Sequence, residues 1–175
     1  IGAVRAALLA NPLLDFDRLL VLRRQYPSAN GARTTPPGTT NNWLTCDAIP
    51  RQNTWRDALV VLTQLRGAVA EQVLYQPETV ETLLDPDVHF DGDRILFAKN
   101  GAKQKNYRLW EIGSDGQGLH QVTPDDGEDV GHFDGCYLPN GDILFTSTAA
   151  YQGMPCTYGS SMVCLYRWHH DTGAV

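Results

Sequence analysis

Asp87-Val-His-Phe-Asp-Gly-Asp-Arg-Ile-Leu-Phe-Ala98 decides how this chain folds, because much of it is written again further on. Its apolar centre, Ile95-Leu96-Phe97, returns as Ile143-Leu144-Phe145 at a spacing of 48 residues (143 − 95), and on that spacing Phe90 falls on Leu138. The run lies between Asp-Gly-Asp and Lys-Asn-Gly. Turn formers around a short β-branched and aromatic run predict a buried strand. Downstream, Tyr107 to Ile112 alternates, with Tyr, Leu and Glu on one face and Arg, Trp and Ile on the other. Ser114-Asp-Gly-Gln-Gly118 then accepts the positive φ that a hairpin needs, and Leu119 to Val122 reads as a short last strand. Strands near Val88, Leu96, Leu109 and Gln121 make one antiparallel unit, and such a unit must stack on neighbours to cover both faces.

The copies do not match throughout. Leu109 and Asp115 reappear as Leu165 and Asp171 at a spacing of 56 (165 − 109), so the second copy is longer in its middle. A third copy of the turn and strand precedes both: Asp15, Asp17, Arg18 and Leu20 match Asp91, Asp93, Arg94 and Leu96 at a spacing of 76 (96 − 20). Ala58 to Leu62 and Gln72 to Tyr75 read as further strands of that first copy. Residues 25–42, with Pro36-Pro37-Gly38, read as a long exposed loop inserted in it. Val4 to Ala10 predicts a short helix stopped by Asn11-Pro12, and Thr79 to Leu84 a single helical turn.

A repeat of roughly 40–50 residues built from short strands is the mark of a β-propeller blade. The expected fold is therefore all-β: a propeller segment of about three four-stranded antiparallel blades, with one short N-terminal helix. Residues 1–12 form the helix and lead-in, and 13–175 the partial propeller, with blades over 13–78, 85–124 and 134–175. Propellers close with roughly four to eight blades, so three leave the ring incomplete, and the chain reads as part of a longer protein.

The 175 residues are 42% hydrophobic and 19% charged, which suits a packed core rather than disorder. A net charge of −6 lacks the basic footprint of a nucleic-acid binder. No apolar run approaches the roughly 20 residues of a membrane helix.

Few residues suggest chemistry. Cys156 and Cys164 flank the longer middle of the last copy, with Cys46 and Cys136 elsewhere. The pair reads as a disulfide across a hairpin, as two buried thiols, or as metal or haem ligands with His169 and His170. Their seven-residue separation is not the Cys-x2–4-Cys spacing of zinc sites. His132 precedes an innermost strand and is the candidate for lining a central channel. Asp125, Asp126, Glu128 and Asp129 read as a solvated acidic loop or, with loop carbonyls, as calcium ligands. Gly-x-Ser-x-Gly, P-loop and His-Glu-x-x-His motifs are absent from the sequence, so no catalytic residue and no metal site is assigned.

Asp115-Gly-Gln-Gly-Leu-His-Gln-Val-Thr123 and Leu138-Pro-Asn-Gly-Asp-Ile-Leu-Phe-Thr-Ser147 resemble the WD40-like repeats of TolB-type propellers. Asn11-Pro-Leu-Leu-Asp-Phe-Asp-Arg-Leu-Leu20, the opening stretch from Asp87, Cys136-Tyr-Leu-Pro-Asn-Gly-Asp-Ile-Leu-Phe-Thr-Ser-Thr148 and Gly153-Met-Pro-Cys-Thr-Tyr-Gly-Ser-Ser161 look like proteins similar to the hydrazine synthase alpha subunit. That resemblance runs from about Asn11 onward. It implies the middle propeller of a larger periplasmic or secreted protein, with the rest of the parent chain or another subunit as partner. The role implied is a non-catalytic scaffold or binding module. The alternative is part of a haem-dependent redox enzyme whose haem-bearing segments lie outside this chain. Haem in that family is attached through Cys-x-x-Cys-His, which this sequence lacks, so no cofactor is placed on these residues.

Overall fold

Ile95-Leu96-Phe97-Ala98 is buried on both sides, so a sheet must cover each face of this strand. A computed structural model of the chain describes residues 2–25, 56–79, 81–100, 106–153 and 162–175. It shows three antiparallel sheets stacked face to face. The first contains β1 (Arg18–Gln25), β2 (Arg56–Thr63) and β3 (Ala70–Tyr75). The middle one contains β4 (Leu83–Val88), β5 (Arg94–Lys99), β6 (Arg108–Gly113) and β7 (His120–Gln121). The third contains β8 (His132–Tyr137), β9 (Ile143–Ser147) and β10 (Cys164–Trp168). Each sheet is an up-and-down meander, and a helix, α1 (Gly2–Leu9), precedes them. This is an incomplete propeller, reached through the repeat expected from the sequence. The expectation of four strands per blade holds for the middle sheet; among the described residues the outer two have three each.

Strand alternation divides the core in two. Ile95, Phe97 and Ile112 point one way and pack with Leu59, Val61, Leu74 and Leu83, with Leu20, Leu22 and Trp110 against them. Leu96, Ala98, Tyr107 and Leu109 point the other way and pack with Tyr137, Ile143 and Phe145. Fully burying one such aliphatic or aromatic side chain is worth roughly 1.5–3 kcal/mol. Covering both faces of β5 therefore ties three sheets into one stack.

Hydrogen-bond register refines the repeat. Ala98 pairs with Leu109, and Leu22 with Leu59. Since Leu20 and Leu22 share the face of Leu96 and Ala98 in the repeat, β1 takes the place of β5, the second strand of a blade. The first sheet thus supplies the second, third and fourth positions. Leu83, Asp85 and Val88 fall on His132, Asp134 and Tyr137, a spacing of 49 (132 − 83), whereas β5 falls on β9 at 48. The β4–β5 turn is one residue longer than the β8–β9 turn. His89 N–H donates to Arg94 O at 3.0 Å, and Leu138 N–H to Asp142 O at 2.7 Å. Leu138 therefore corresponds to His89, not to Phe90 as the constant spacing suggested. Phe90 is 68% exposed at the turn.

Both innermost strands carry a β-bulge, between Leu84 and Asp87 in β4 and between Phe133 and Cys136 in β8. Asp85 (φ 49°) and Asp134 (φ 51°) sit in them with left-handed backbone, which Asp accepts better than most residues. The residue after Asp134 is Gly135, and a Cβ there would stand 2.8 Å from Leu96 Cδ2 and 3.0 Å from Leu109. A side chain there would force these leucines to shift, so glycine lets β8 approach the middle sheet closely.

The helical turn expected over Thr79 to Leu84 is not formed. Leu83 and Leu84 open β4, because Leu83 is buried and its amide donates to Asp57 Oδ2 at 2.9 Å. The loop expected over 25–42 lies, from residue 26 on, outside the described residues.

Candidate functional site

One edge of the stack collects the strand ends between which β1–β2, β5–β6 and β9–β10 are joined, together with those between sheets, β3–β4 and β7–β8. The antiparallel register puts all five at the same ends of the strands. This edge holds a chain of buried polar groups. At the first junction Arg24 is bidentate to Asp57 (3.0 and 3.1 Å) and donates to Leu83 O at 2.7 Å. Beside it Thr82 N–H donates to Asn100 Oδ1 at 2.7 Å. Lys99 Nζ lies 2.9 Å from Glu81 Oε2 and 4.1 Å from the centre of the Trp110 ring. The Tyr75 hydroxyl donates to the same carboxylate at 3.1 Å. Burial first, then the charge of Glu81, push that phenol well above its ordinary range.

The second junction repeats the plan with other residues. Gly131 N–H donates to Thr148 Oγ1 at 2.8 Å, in the place of Thr82 and Asn100. Arg108 is 1% exposed. Its guanidinium donates to Asp125 Oδ1 at 2.9 Å, to Gly127 O at 2.6 Å, to Tyr107 O at 3.0 Å and to Val130 O. One buried arginine thus shapes the whole β7–β8 connection. A cation out of water needs this many acceptors to be tolerated.

His132, the channel-lining candidate, stands where the middle sheet has the buried Leu83. It is 1% exposed and lies edge-on to Phe145 with ring centres 5.2 Å apart. Its Nε2 lies 3.2 Å from Asp126 Oδ2. Desolvation, then the charge of Arg108, lower its pKa, and Asp126 opposes them. Neutral, it donates from Nε2 to Asp126. Asp125 and Asp126, offered by the sequence as calcium ligands with Glu128 and Asp129, are thus bound to Arg108 and His132. The Glu128 carbonyl accepts from Asn106.

The opposite edge carries the tight turns. His89 Nδ1, Asp91 Oδ2 and Asp93 Oδ1 lie close enough to share a cation. Donors meet both ring nitrogens. The Arg94 guanidinium sits 2.9 Å from His89 Nε2, and the Asp91 N–H donates to Nδ1 at 3.2 Å. Nδ1 also lies 3.4 Å from the Asp93 carboxylate and 3.5 Å from that of Asp91. The trio is a hydrogen-bonded turn in which the Asp91 N–H already engages Nδ1.

In the third sheet the same edge is held by Asp142. Its carboxylate accepts from the His170 amide (3.1 Å), from His170 Nδ1 (2.9 Å), from Arg167 Nε (2.6 Å) and from Asn140 Nδ2 (3.0 Å). The His170 side chain first, then the other donors, hold this carboxyl well below the usual range. His169 and His170 therefore serve Asp142, with His169 Nδ1 at 3.4 Å. Cys164 is a free, exposed thiol, as is Cys136; Cys156 and Cys46 lie outside the described residues. Partial burial, then Asp87, push the Cys136 thiol up, away from the reactive thiolate.

The sequence did not single out Arg108, Lys99 or Asp57. All three sit at strand ends, where alternation alone predicts a solvated charge. The one available signal was Lys99 directly after the buried run Ile95 to Ala98.

No helix among the described residues is long and apolar enough to cross a membrane. No family model matches the chain, and no curated protein matches it. Solved structures do share its fold. Oligogalacturonate lyase in complex with manganese aligns at TM-score 0.55 and 17% identity, over 91% of this chain and 38% of that one. Kuenenia stuttgartiensis hydrazine synthase aligns at 0.53 and 15%, over 86% and 20%. TolB from Acinetobacter baumannii aligns at 0.46 and 22%, over 67% and 25%. The chain spans well under half the length of each of these proteins, and the likeness is one of fold: a propeller segment.

Proposed function

We propose that this chain is a non-catalytic propeller segment, a scaffold or binding module of a larger extracytoplasmic protein similar to hydrazine synthase alpha-subunit relatives. The observation that supports it is that the strand ends flanking all three second-to-third-strand connections lie on one edge. Buried anchors stand at their feet: Arg24 with Asp57 below β1–β2, Lys99 and Arg108 on either side of β5–β6, and Ser147 and Thr148 after β9. Rigid strands presenting variable connections on one edge are how repeat scaffolds build contact surfaces. Arg24, Asp57, Lys99, Glu81 and Arg108 are engaged in holding the strand ends on that edge. Any haem chemistry would belong to other segments of the parent.

The chain's three lysines are Lys99, Lys103 and Lys105, and Lys99 is buried against Glu81. A lysine-reactive cross-linker applied to the parent protein therefore reports on the β5–β6 connection. Cross-links from Lys103 or Lys105 to another segment or subunit are the expected result. A haem found covalently attached to a peptide of this chain would sink the reading. Peptide mapping of the same sample, alkylated without reduction, shows whether Cys156 and Cys164 are joined, as an oxidising compartment would favour.

A further inference from the structure

We propose that His132 is a proton-released pin: neutral, it holds the β7–β8 connection against the third sheet, and protonated, it lets that connection open. The ring is 1% exposed and fixed on two sides. Its Nε2 lies 3.2 Å from Asp126 Oδ2 in the connection, and it meets Phe145 of β9 edge-on with ring centres 5.2 Å apart. The His132 N–H donates to Tyr107 O at 2.9 Å, and the adjoining Gly131 N–H to Thr148 Oγ1 at 2.8 Å, so the end of the connection is tied to both sheets. The second ring nitrogen, Nδ1, is buried and has no hydrogen-bond partner. In a neutral ring that donates from Nε2, this is an idle lone pair. Protonation turns it into an N–H donor, and the imidazolium becomes a buried cation with one donor unmet.

The charges around the ring oppose that cation more than they help it. On β6, the buried Arg108 guanidinium sets a second positive charge nearby. In the connection, Asp126 answers directly, whereas Asp125 is bound to Arg108, and Glu128 and Asp129 are exposed. On β9 the ring meets Phe145, which carries no charge, and on β8 the Asp134 carboxylate accepts from Thr146 Oγ1 at 3.3 Å. Desolvation first, then Arg108, keep the imidazole pKa below its ordinary 6.5, against the pull of Asp126. The middle sheet supplies the contrast. There the same seat holds Leu83, packed in one core with Phe97, and a leucine has no proton to take up.

The sign follows from linkage. A histidine that binds its proton less tightly when enclosed lends stability above its open value of 6.5 and loses it as pH falls below. Opening that frees the ring takes up at most one proton, so it becomes up to about tenfold more frequent per pH unit in that range. Amide hydrogen exchange of the full chain, corrected for the intrinsic effect of pH, tests this. Between about pH 7.5 and pH 5.5 the protection of the Gly131 and His132 amides should fall by up to about tenfold. The Leu83 amide, bound to Asp57, should hold over the same range. In His132→Leu, which puts the middle sheet's residue in the seat, the fall should vanish. Nitrogen NMR titration of the natural chain gives a second reading that needs no variant: His132 should carry its proton on Nε2 and titrate below 6.5. In Asp126→Asn, which keeps an acceptor for Nε2 but not the charge, the midpoint should move further down. Protection that does not change with pH, a fall that survives in His132→Leu, or a His132 midpoint at or above 6.5 overturns the pin.

Discussion

Leu109 in the middle sheet is fully buried, and Leu165, which occupies the same place in the third sheet, is 70% exposed. Their opposite faces tell another story. Phe97 is 1% exposed and Phe145 is 0%, each pressed against the preceding sheet. The two sheets are thus alike on one face and unlike on the other. The repeat writes apolar residues for two covered faces, and only the middle sheet has both covered among the described residues. Burial in this fold is a property of position in the stack as much as of residue type.

The largest expected effect lies in what the sheets share. Phe97→Ala and Phe145→Ala should each cost about 3–5 kcal/mol in urea unfolding, the range for a buried phenylalanine. A loss under about 1 kcal/mol at both would break the equivalence of the two faces. Next comes what they do not share. Leu109→Ala should cost about 2–5 kcal/mol, and Leu165→Ala should stay within about 0.5 kcal/mol. Equal losses would mean that the outer face of the third sheet is covered in solution.

The smallest effect sharpens the comparison at the turns. Asp142 binds the end of the third sheet as an ion, while the middle sheet uses Arg94 and His89 at that place. A carboxyl held below its unfolded value of 3.8 lends stability above that pH and loses it as pH falls further. The natural chain should therefore exceed Asp142→Asn in urea midpoint near neutral pH, and the gap should close below about pH 4. A gap that is undiminished at about pH 2 would show that the turn is held by packing instead.

The strand cores were legible because Ile95-Leu96-Phe97 and Ile143-Leu144-Phe145 need no context to declare themselves apolar and β-forming. The one-residue slip at Phe90 was not, since a fixed spacing assumes turns of equal length, and only hydrogen bonds count a turn. The candidate site was harder still. His132 fills a leucine's place and Arg108 a buried strand end, and both survive there through partners supplied by a connection whose path no periodicity predicts.

Gly135 leaves no room for a side chain between itself and the leucines of the middle sheet, Leu96 and Leu109. At the same place in β4 the chain has Pro86. The two inner strands are therefore not alike there: a side chain at the place of Gly135 would force Leu96, which is itself fully enclosed, to shift. Repeat proteins are prone to joining the wrong neighbours while they fold. Here a single missing methyl group lets β8 seat directly on Leu96 and Leu109.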